Sequence, residues 1–162
     1  MQELTRPTAD PDPKALACYG LLVRLGPQQA DQMWLRCVAG RPVSAVTMAF
    51  LAWGSAQLAA HGFTALLLIW DNASWHRSHA VRSWMRQHNQ EIKQGAAGVR
   101  LIVCHLPSNS PWLNPIEPKW VHGKRAVAEP DRLLSAAELE ARVYAYYGCE
   151  RAEHLVMPKK VA

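Results

Sequence analysis

The sequence predicts one mixed α/β domain in three layers. Short apolar runs of strand length alternate with longer segments that have helical spacing. The predicted order is strand, strand, helix, strand, helix, strand, helix, helix, which is typical of a sheet flanked by helices. The chain has 162 residues, of which 49% are hydrophobic, so it is long enough for one core and too short for two ordinary domains.

The individual elements follow from apolar periodicity and from turn and capping residues. A Gly-Pro pair separates the first two strands into a hairpin, Gly62 ends the first helix, and a capping box at Ser135 and Glu138 opens the last. The continuous apolar run before Asp71 predicts a strand that is buried on both faces. The predicted elements are strands at 15–23, 33–38, 65–70 and 99–106, and helices at 44–61, at 78–94, from about 115, and at 135–148.

The chain divides into an irregular leader at residues 1–14, the α/β domain at 15–150 and a tail at 151–162. The sequence shows neither a membrane-spanning run nor the apolar core of a signal peptide. Its four cysteines form no C-x-x-C pair, so they suit reduced thiols better than disulfides or a zinc site. We therefore expect a cytoplasmic protein with no membrane attachment.

The net charge of +5 is unevenly distributed along the chain. Residues 1–76 carry five Lys/Arg and five Asp/Glu, whereas residues 77–162 carry thirteen and eight. A positive lobe attracts polyanions, and nucleic acid is the common one. On charge alone, a basic soluble surface without a partner explains the excess equally well.

Two carboxylates occupy positions that suit a catalytic role. Asp71 directly follows a predicted strand, so its side chain is expected at the carboxyl edge of the sheet, where open α/β sheets place their sites. A simple Asp-Asn turn explains this residue equally well. Glu117 lies in Asn-Pro-Ile-Glu-Pro, whose prolines fit a helix only within its first turn. Taken alone, Glu117 suits a capping box with Asn114, which the helix dipole favours by roughly 0.3–1 kcal/mol.

Considered together, Asp71 and Glu117 are more informative, because consecutive buried strands can bring them to the same sheet edge. Converging carboxylates repel one another unless a cation lies between them, and their hard oxygens select Mg²⁺ or Mn²⁺. Two such ions, about 4 Å apart, can activate an attacking oxygen and stabilise a leaving one in phosphoryl transfer. Most sites of this kind use three or more carboxylates, and here the sequence offers two.

Two motifs connect the chain to a known family. Residues 70–76 read Trp-Asp-Asn-Ala-Ser-Trp-His, and residues 106–120 read Leu-Pro-x-x-Ser-Pro-Trp-Leu-Asn-Pro-Ile-Glu-x-x-Trp. These motifs, with 45 residues between Asp71 and Glu117, closely resemble bacterial insertion-sequence transposases of the mariner-related superfamily, which carry a DDE catalytic domain. The resemblance covers about residues 14–149, the C-terminal part of such a transposase.

This resemblance implies an RNase H-like fold, with a mixed sheet flanked by helices. It implies that Asp71 and Glu117 are the second and third catalytic carboxylates and ligands of two Mg²⁺ or Mn²⁺ ions. It also implies DNA as the partner and a homo-oligomer in the complete form. The family's first catalytic Asp lies on the first central strand, which this chain is expected to lack. Asp10 and Asp12 are poor substitutes, because they lie in a proline-rich segment before the first predicted strand.

The expected lack of a central strand has physical consequences. The edges of the strands at 15–23 and 65–70 would have no ladder partner, which leaves backbone groups unpaired or exposed. We therefore expect the chain alone to be marginally stable, to aggregate, or to need an upstream transposase fragment that supplies the strand and its Asp.

His76 lies five residues after Asp71 and is expected to contact DNA or a scissile phosphate, although closing a turn suits it equally well.

A predicted helix carries three cations and two aromatic flanks close to Glu117. Lys119, Lys124 and Arg125 are expected to hold DNA phosphates, with a solvated basic face as the alternative. Trp112 and Trp120 are expected to be packing anchors.

The leading hypothesis is a transposase catalytic-domain fragment that cleaves and transfers DNA strands in complete form and is inactive alone. The alternative is a catalytically dead DNA-binding or assembly module that interferes with full-length transposase. An unrelated α/β hydrolase using Asp71 and His76 as a pair ranks below both, because it explains neither the Asn-Pro-Ile-Glu segment nor the basic lobe.

Overall fold

The computed structural model describes residues 16–38, 43–108, 110–128, 132 and 134–156. Within them, the elements follow the predicted order, with one short 3₁₀ turn at Pro111–Leu113. The strands are β1 Ala17–Val23, β2 Gln32–Val38, β3 Ala65–Trp70 and β4 Arg100–His105, and the helices are α1 Ser44–Ala60, α2 His79–Lys93, α3 Ile116–Val127 and α4 Ala136–Tyr147. The predicted leader, with Asp10 and Asp12, lies outside the described residues.

β1 and β2 form the predicted antiparallel hairpin, which packs on α1. The Tyr19 hydroxyl lies 3.0 Å from the Thr47 hydroxyl of α1. Leu21 packs next to Gly54, which lies about two helical turns after Thr47 in α1. The register pairs Ala17 with Val38 and Val23 with Gln32. The alternation of side chains along β1 therefore turns one apolar face towards α1.

The other face of the hairpin is covered by α3 and α4. Trp120 of α3 lies directly over Gly20, where any side chain would collide with its indole ring. The Tyr147 hydroxyl at the end of α4 donates a hydrogen bond of 2.7 Å to the Lys119 carbonyl of α3. The capping box predicted at Ser135 is present at the start of α4. The hairpin is thus the middle of three layers.

β3 and β4 form a parallel pair joined by α2. The Ser78 hydroxyl caps α2 by accepting a hydrogen bond from Val81, as predicted. The Val99 amide before β4 donates to the buried Ser55 hydroxyl of α1 at 2.8 Å, and the Val99 carbonyl pairs with His88 of α2 at 2.9 Å. These bonds satisfy buried polar groups and join the two helices to the sheet.

The described strands make two separate two-stranded sheets, β1 with β2 and β3 with β4. α1 packs against both sheets, since core residues of β1 and β3 contact it in one cluster. Among the described residues, no strand pairs with the remaining edge of β1 or of β3. The mixed α/β prediction is confirmed, and the arrangement is consistent with part of an RNase H-like domain.

The predicted burial of the third strand on both faces is wrong. Leu68 and Trp70 of β3 are buried against the α1 side, but Leu67 is 62% exposed and Ile69 is 44% exposed. Ile102, the partner of Leu67 on β4, is 47% exposed. The physical reason is that α1 and α2 cover one face of this sheet, and no described element covers the other.

The described part of the predicted tail packs on the domain. Leu155 is buried and forms a bridge with Val38 at the end of β2. Glu140 of α4, 3% exposed, accepts hydrogen bonds from Arg151 and His154. No helix in the described ranges is long and apolar enough to cross a bilayer.

Candidate active site

Asp71 leaves the carboxyl end of β3, as predicted, and its carboxylate is held by its own loop. Oδ1 accepts a hydrogen bond of 2.9 Å from the Ala73 amide, which makes an Asx turn. The same oxygen lies 2.7 Å from Nδ1 of His76. The His76 ring is stacked on Trp70, with ring centroids 4.5 Å apart and planes within 7°. Asp71 is therefore in a fixed orientation, with 43% of its side chain exposed.

Asn72 connects the loop after β3 to the loop after β4. Its side-chain amide donates a hydrogen bond of 2.7 Å to the Leu106 carbonyl. The Leu106 amide in turn donates to the Trp70 carbonyl at 3.2 Å, which continues the parallel ladder by one step. The segment that leads to Glu117 therefore starts from a defined point beside Asp71. Sequence reasoning identified Asn72 only as a turn residue, because its partner lies 34 residues away.

Glu117 lies in the first turn of α3, as predicted. The helix begins at Ile116 without a side-chain cap hydrogen bond at Pro115. The Glu117 amide donates to the Asn114 carbonyl at 3.1 Å, and Asn114 is only 8% exposed. The start of the helix is thus formed by the backbone, and the Glu117 side chain is not needed there as a cap.

Asp71 and Glu117 line the same cleft, whose volume is about 460 Å³. Residues 17–22 of β1 and residues 66–70 of β3 also line it. Asn114, Trp75 and His76 also contribute to its wall. The lining is mostly apolar, and the two carboxylates are among its few polar groups.

One thiol also lines the cleft. Cys18 lies opposite Cys37 in the hairpin, with the two sulfur atoms 3.9 Å apart. Its hydrogen bond with Cys37, and then burial, raise the pKa of the Cys18 thiol. Cys18 therefore stays a protonated thiol, which is a poor nucleophile and a poor metal ligand.

The chemistry of the two carboxylates suits a hard divalent cation, since Mg²⁺ is commonly bound by one or two carboxylates and completes its shell with water. A two-ion site usually has three or more carboxylates, which is more than these two. Across the described ranges, no group of three or more His, Cys, Asp or Glu side chains is close enough to hold a metal ion. The carboxylate oxygens of Asp71 and Glu117 thus suit one hard cation. They supply only part of the ligands that a two-ion site needs.

The three predicted DNA-binding cations are all exposed on α3, and the helical repeat places them on different faces. Lys124 follows Glu117 by almost two full helical turns, so the two lie on the same face, about 10 Å apart along the axis. Arg125 lies about 100° further round the helix. The sequence placed these residues on one helix, and the helical phase distinguishes between them.

Lys119 lies near the turn of the β1–β2 hairpin. Hydrogen bonding from Arg24, opposed by partial desolvation, holds the pKa of Asp31 in that turn below its usual range. The positive charge of Lys119 adds to this lowering of the Asp31 pKa. Lys119 follows Glu117 by two residues, about 200° round the helix, so the two residues lie on opposite faces of α3.

The two tryptophans near Glu117 have different surroundings. Trp120 is a packing anchor, as predicted, because it covers Gly20 and contacts Tyr147 edge to face with centroids 5.7 Å apart. Trp112 is 72% exposed, so its prediction as a packing anchor is wrong. Trp112 belongs to the short 3₁₀ turn, which points away from the core.

Comparison with known proteins agrees with this geometry. No curated protein matches the chain. The sequence model of the DDE superfamily endonuclease family matches residues 42–140, which is more than half of the chain and includes both Asp71 and Glu117. The chain therefore belongs to the DDE superfamily endonucleases and carries a DDE-type transposase domain.

Proposed function

We propose that this chain is the C-terminal part of the catalytic domain of a mariner-related insertion-sequence transposase, and that it is inactive alone. The observation that carries the proposal is that Asp71 and Glu117 line one cleft at the carboxyl end of β3. The family match supports a nuclease function and DNA as its substrate. The absence of a third carboxylate among the described residues near these two supports inactivity.

The role of each carboxylate follows from its surroundings. Oδ1 of Asp71 is occupied by His76 and Ala73, whereas Oδ2 accepts no hydrogen bond from the described residues and remains for a cation. Glu117 brings a second oxygen ligand from the helix start. When bound, Mg²⁺ or Mn²⁺ would stabilise charge on the phosphodiester and activate the attacking oxygen, with two ions in a complete site.

The test measures metal binding separately from activity. Mn²⁺ binding to the purified chain is followed by electron paramagnetic resonance, with Asp71→Asn, Glu117→Gln and, as a matched control, Asp31→Asn in the distant hairpin turn. We expect both cleft variants to lose the bound Mn²⁺ and the control to retain it. Binding that is the same in all four proteins would refute the assignment of the site.

Nicking of supercoiled DNA in the presence of Mn²⁺ tests inactivity. We expect the chain to leave the DNA uncut. Nicking that disappears in Asp71→Asn would show a working site and contradict the proposed inactivity.

The second candidate function is a catalytically dead module that binds DNA or joins full-length transposase and interferes with it. The incomplete carboxylate set favours it. DNA binding without any Mn²⁺ binding would support this alternative over the metal site. The hydrolase hypothesis finds its Asp71–His76 pair formed at 2.7 Å, but it leaves Glu117 and the family match without a role.

A further inference from the structure

The charged residues of α2 are separated onto two sides of the helix. Successive helical residues are about 100° apart, so Arg82, Arg86 and Lys93 fall within about 40° of one another. Glu91, the fourth charged residue of α2, lies between about 140° and about 180° from these cations. All three cations are exposed, and none of them forms an ion pair with a residue that the structure describes. One face of α2 is therefore positively charged.

The stability of the helix does not explain this arrangement. Arg82 lies in the first turn of α2, where the positive end of the helix dipole disfavours a cation. Arg82 and Arg86 are four residues apart, so their like charges are neighbours on the helix surface and repel each other. A bound polyanion would offset both effects, because each cation would then have an opposite charge beside it.

One flank of this basic face is fixed to the sheet. Asn89 lies about 20° from Arg82 round the helix. Its side-chain amide donates a hydrogen bond of 2.8 Å to the Leu101 carbonyl, and its side-chain oxygen accepts one of 2.7 Å from the Leu101 amide. Val81 and Met85 are buried on the adjoining side of the helix. The helix face that carries the cations is thus held in a fixed position beside β4.

The length of the basic face matches a stretch of nucleic-acid backbone. At a rise of about 1.5 Å per residue, Arg82 and Lys93 are about 16 Å apart along the helix axis. One strand of duplex DNA carries a phosphate about every 3.4 Å along its axis, so this length corresponds to about five phosphates. The face also begins close to the candidate active site, because the loop that starts at Asp71 ends at Ser78, the cap of α2.

We propose that the face of α2 formed by Arg82, Arg86 and Lys93 binds the phosphate backbone of duplex DNA. Contacts to phosphates carry no sequence information, so this surface holds and positions DNA without reading it. The inference deepens the proposed function by adding a second DNA-binding surface beside the carboxylate loop. It rests on that function only for the choice of DNA as the polyanion.

The experiment compares two substitutions on α2 that change the net charge equally. Arg86→Gln removes a cation from the basic face, whereas Gln87→Glu adds an acid at an exposed position about 100° further round the helix. Arg86→Lys keeps the charge, and Lys93→Gln repeats the test at the other end of the face. Fluorescence anisotropy measures the affinity for a labelled duplex as a function of salt concentration. Circular dichroism melting confirms that each variant folds, and electron paramagnetic resonance measures Mn²⁺ binding.

We expect Arg86→Gln and Lys93→Gln to bind the duplex more weakly. Each should reduce the slope of log K against log salt by about 1, as the loss of one phosphate contact does. Gln87→Glu and Arg86→Lys should keep the slope of the unchanged protein, and Mn²⁺ binding should be the same in all of these proteins. The salt slope decides this surface and the Mn²⁺ titration decides the carboxylate site, so the two proposals can fail separately.

Three results would overturn the inference. If Arg86→Gln and Gln87→Glu reduce the slope equally, net charge explains the binding and no contact on this face is needed. If the unchanged protein does not bind the duplex, the basic face is only a solvated surface. If a polyglutamate peptide displaces the duplex and its own binding depends on Arg86 to the same extent, the partner is an acidic protein segment and not DNA.

Discussion

Nδ1 of His76 lies 2.7 Å from Oδ1 of Asp71, while the imidazole ring is stacked flat on Trp70. The histidine is thus fixed on both its edge and its face, and it fixes the carboxylate in turn. Hydrogen-bonded partners of this kind orient ligands and strengthen metal sites.

The first prediction concerns this pair. His76→Ala should lower the affinity for Mn²⁺ by roughly tenfold or more, because Asp71 loses the partner that orients it. Electron paramagnetic resonance titration measures the affinity. His79→Ala, an exposed histidine three residues further on, is the control and should change nothing. Equal affinities in both variants would show that His76 only closes the turn.

The second prediction separates the cations of α3. Lys124 lies on the same face of α3 as Glu117, whereas Lys119 lies on the opposite face. Lys124→Glu should weaken binding to duplex DNA and reduce the slope of log K against log salt by about 1, since each phosphate contact contributes about that much. Lys119→Glu makes the same charge change on the same helix. If the two variants weaken binding equally, the effect is one of net charge and not of a contact near the cleft.

The third prediction tests the buried link between α1 and β4. Ser55 is 2% exposed, and its hydroxyl accepts the hydrogen bond of the fully buried Val99 amide. Ser55→Ala leaves that amide unpaired, so the free energy of unfolding should fall by about 1–3 kcal/mol. Urea denaturation measures the change. The Ser83 hydroxyl accepts an exposed hydrogen bond from Arg86. Ser83→Ala is therefore the control and should change the free energy of unfolding by less than about 0.5 kcal/mol.

The fourth prediction concerns pH. Burial alone would raise the pKa of Glu140, but hydrogen bonds from His154 and Arg151 outweigh it and hold the pKa below its usual range. The unfolded chain therefore binds more protons than the folded one as the pH falls from about 5. The stabilisation by Glu140 is present above its unfolded pKa of about 4.3 and is lost as the pH falls through its folded pKa.

Urea midpoints measured between about pH 6 and about pH 3 should therefore fall less steeply in Glu140→Gln than in the unchanged protein. The comparison is necessary because the pKa values of Asp31 and Glu138 are also lowered, the latter to about 2. Glu150→Gln, an exposed neighbour, is the control. Parallel pH profiles for Glu140→Gln and the unchanged protein would refute the assigned role.

Local sequence determined which elements form and where they end. Apolar periodicity predicted each helix and strand, and the caps at Ser78 and Ser135 are present because their hydrogen bonds span three residues. Gly62 and Gly148 have positive φ angles of 82° and 63°, which glycine adopts without steric cost. The positions of Asp71 and Glu117 after a strand and at a helix start were predictable for the same reason.

Tertiary structure alone decided what those elements face. The exposure of Leu67 and Ile69 and the partner of Asn72 depend on contacts between distant parts of the chain. A pattern of apolar residues shows that a strand can be buried, but only the neighbouring layers decide whether it is. The edges of β1 and β3 that have no strand partner among the described residues arise in the same way, because only the assembled sheets decide which strands pair.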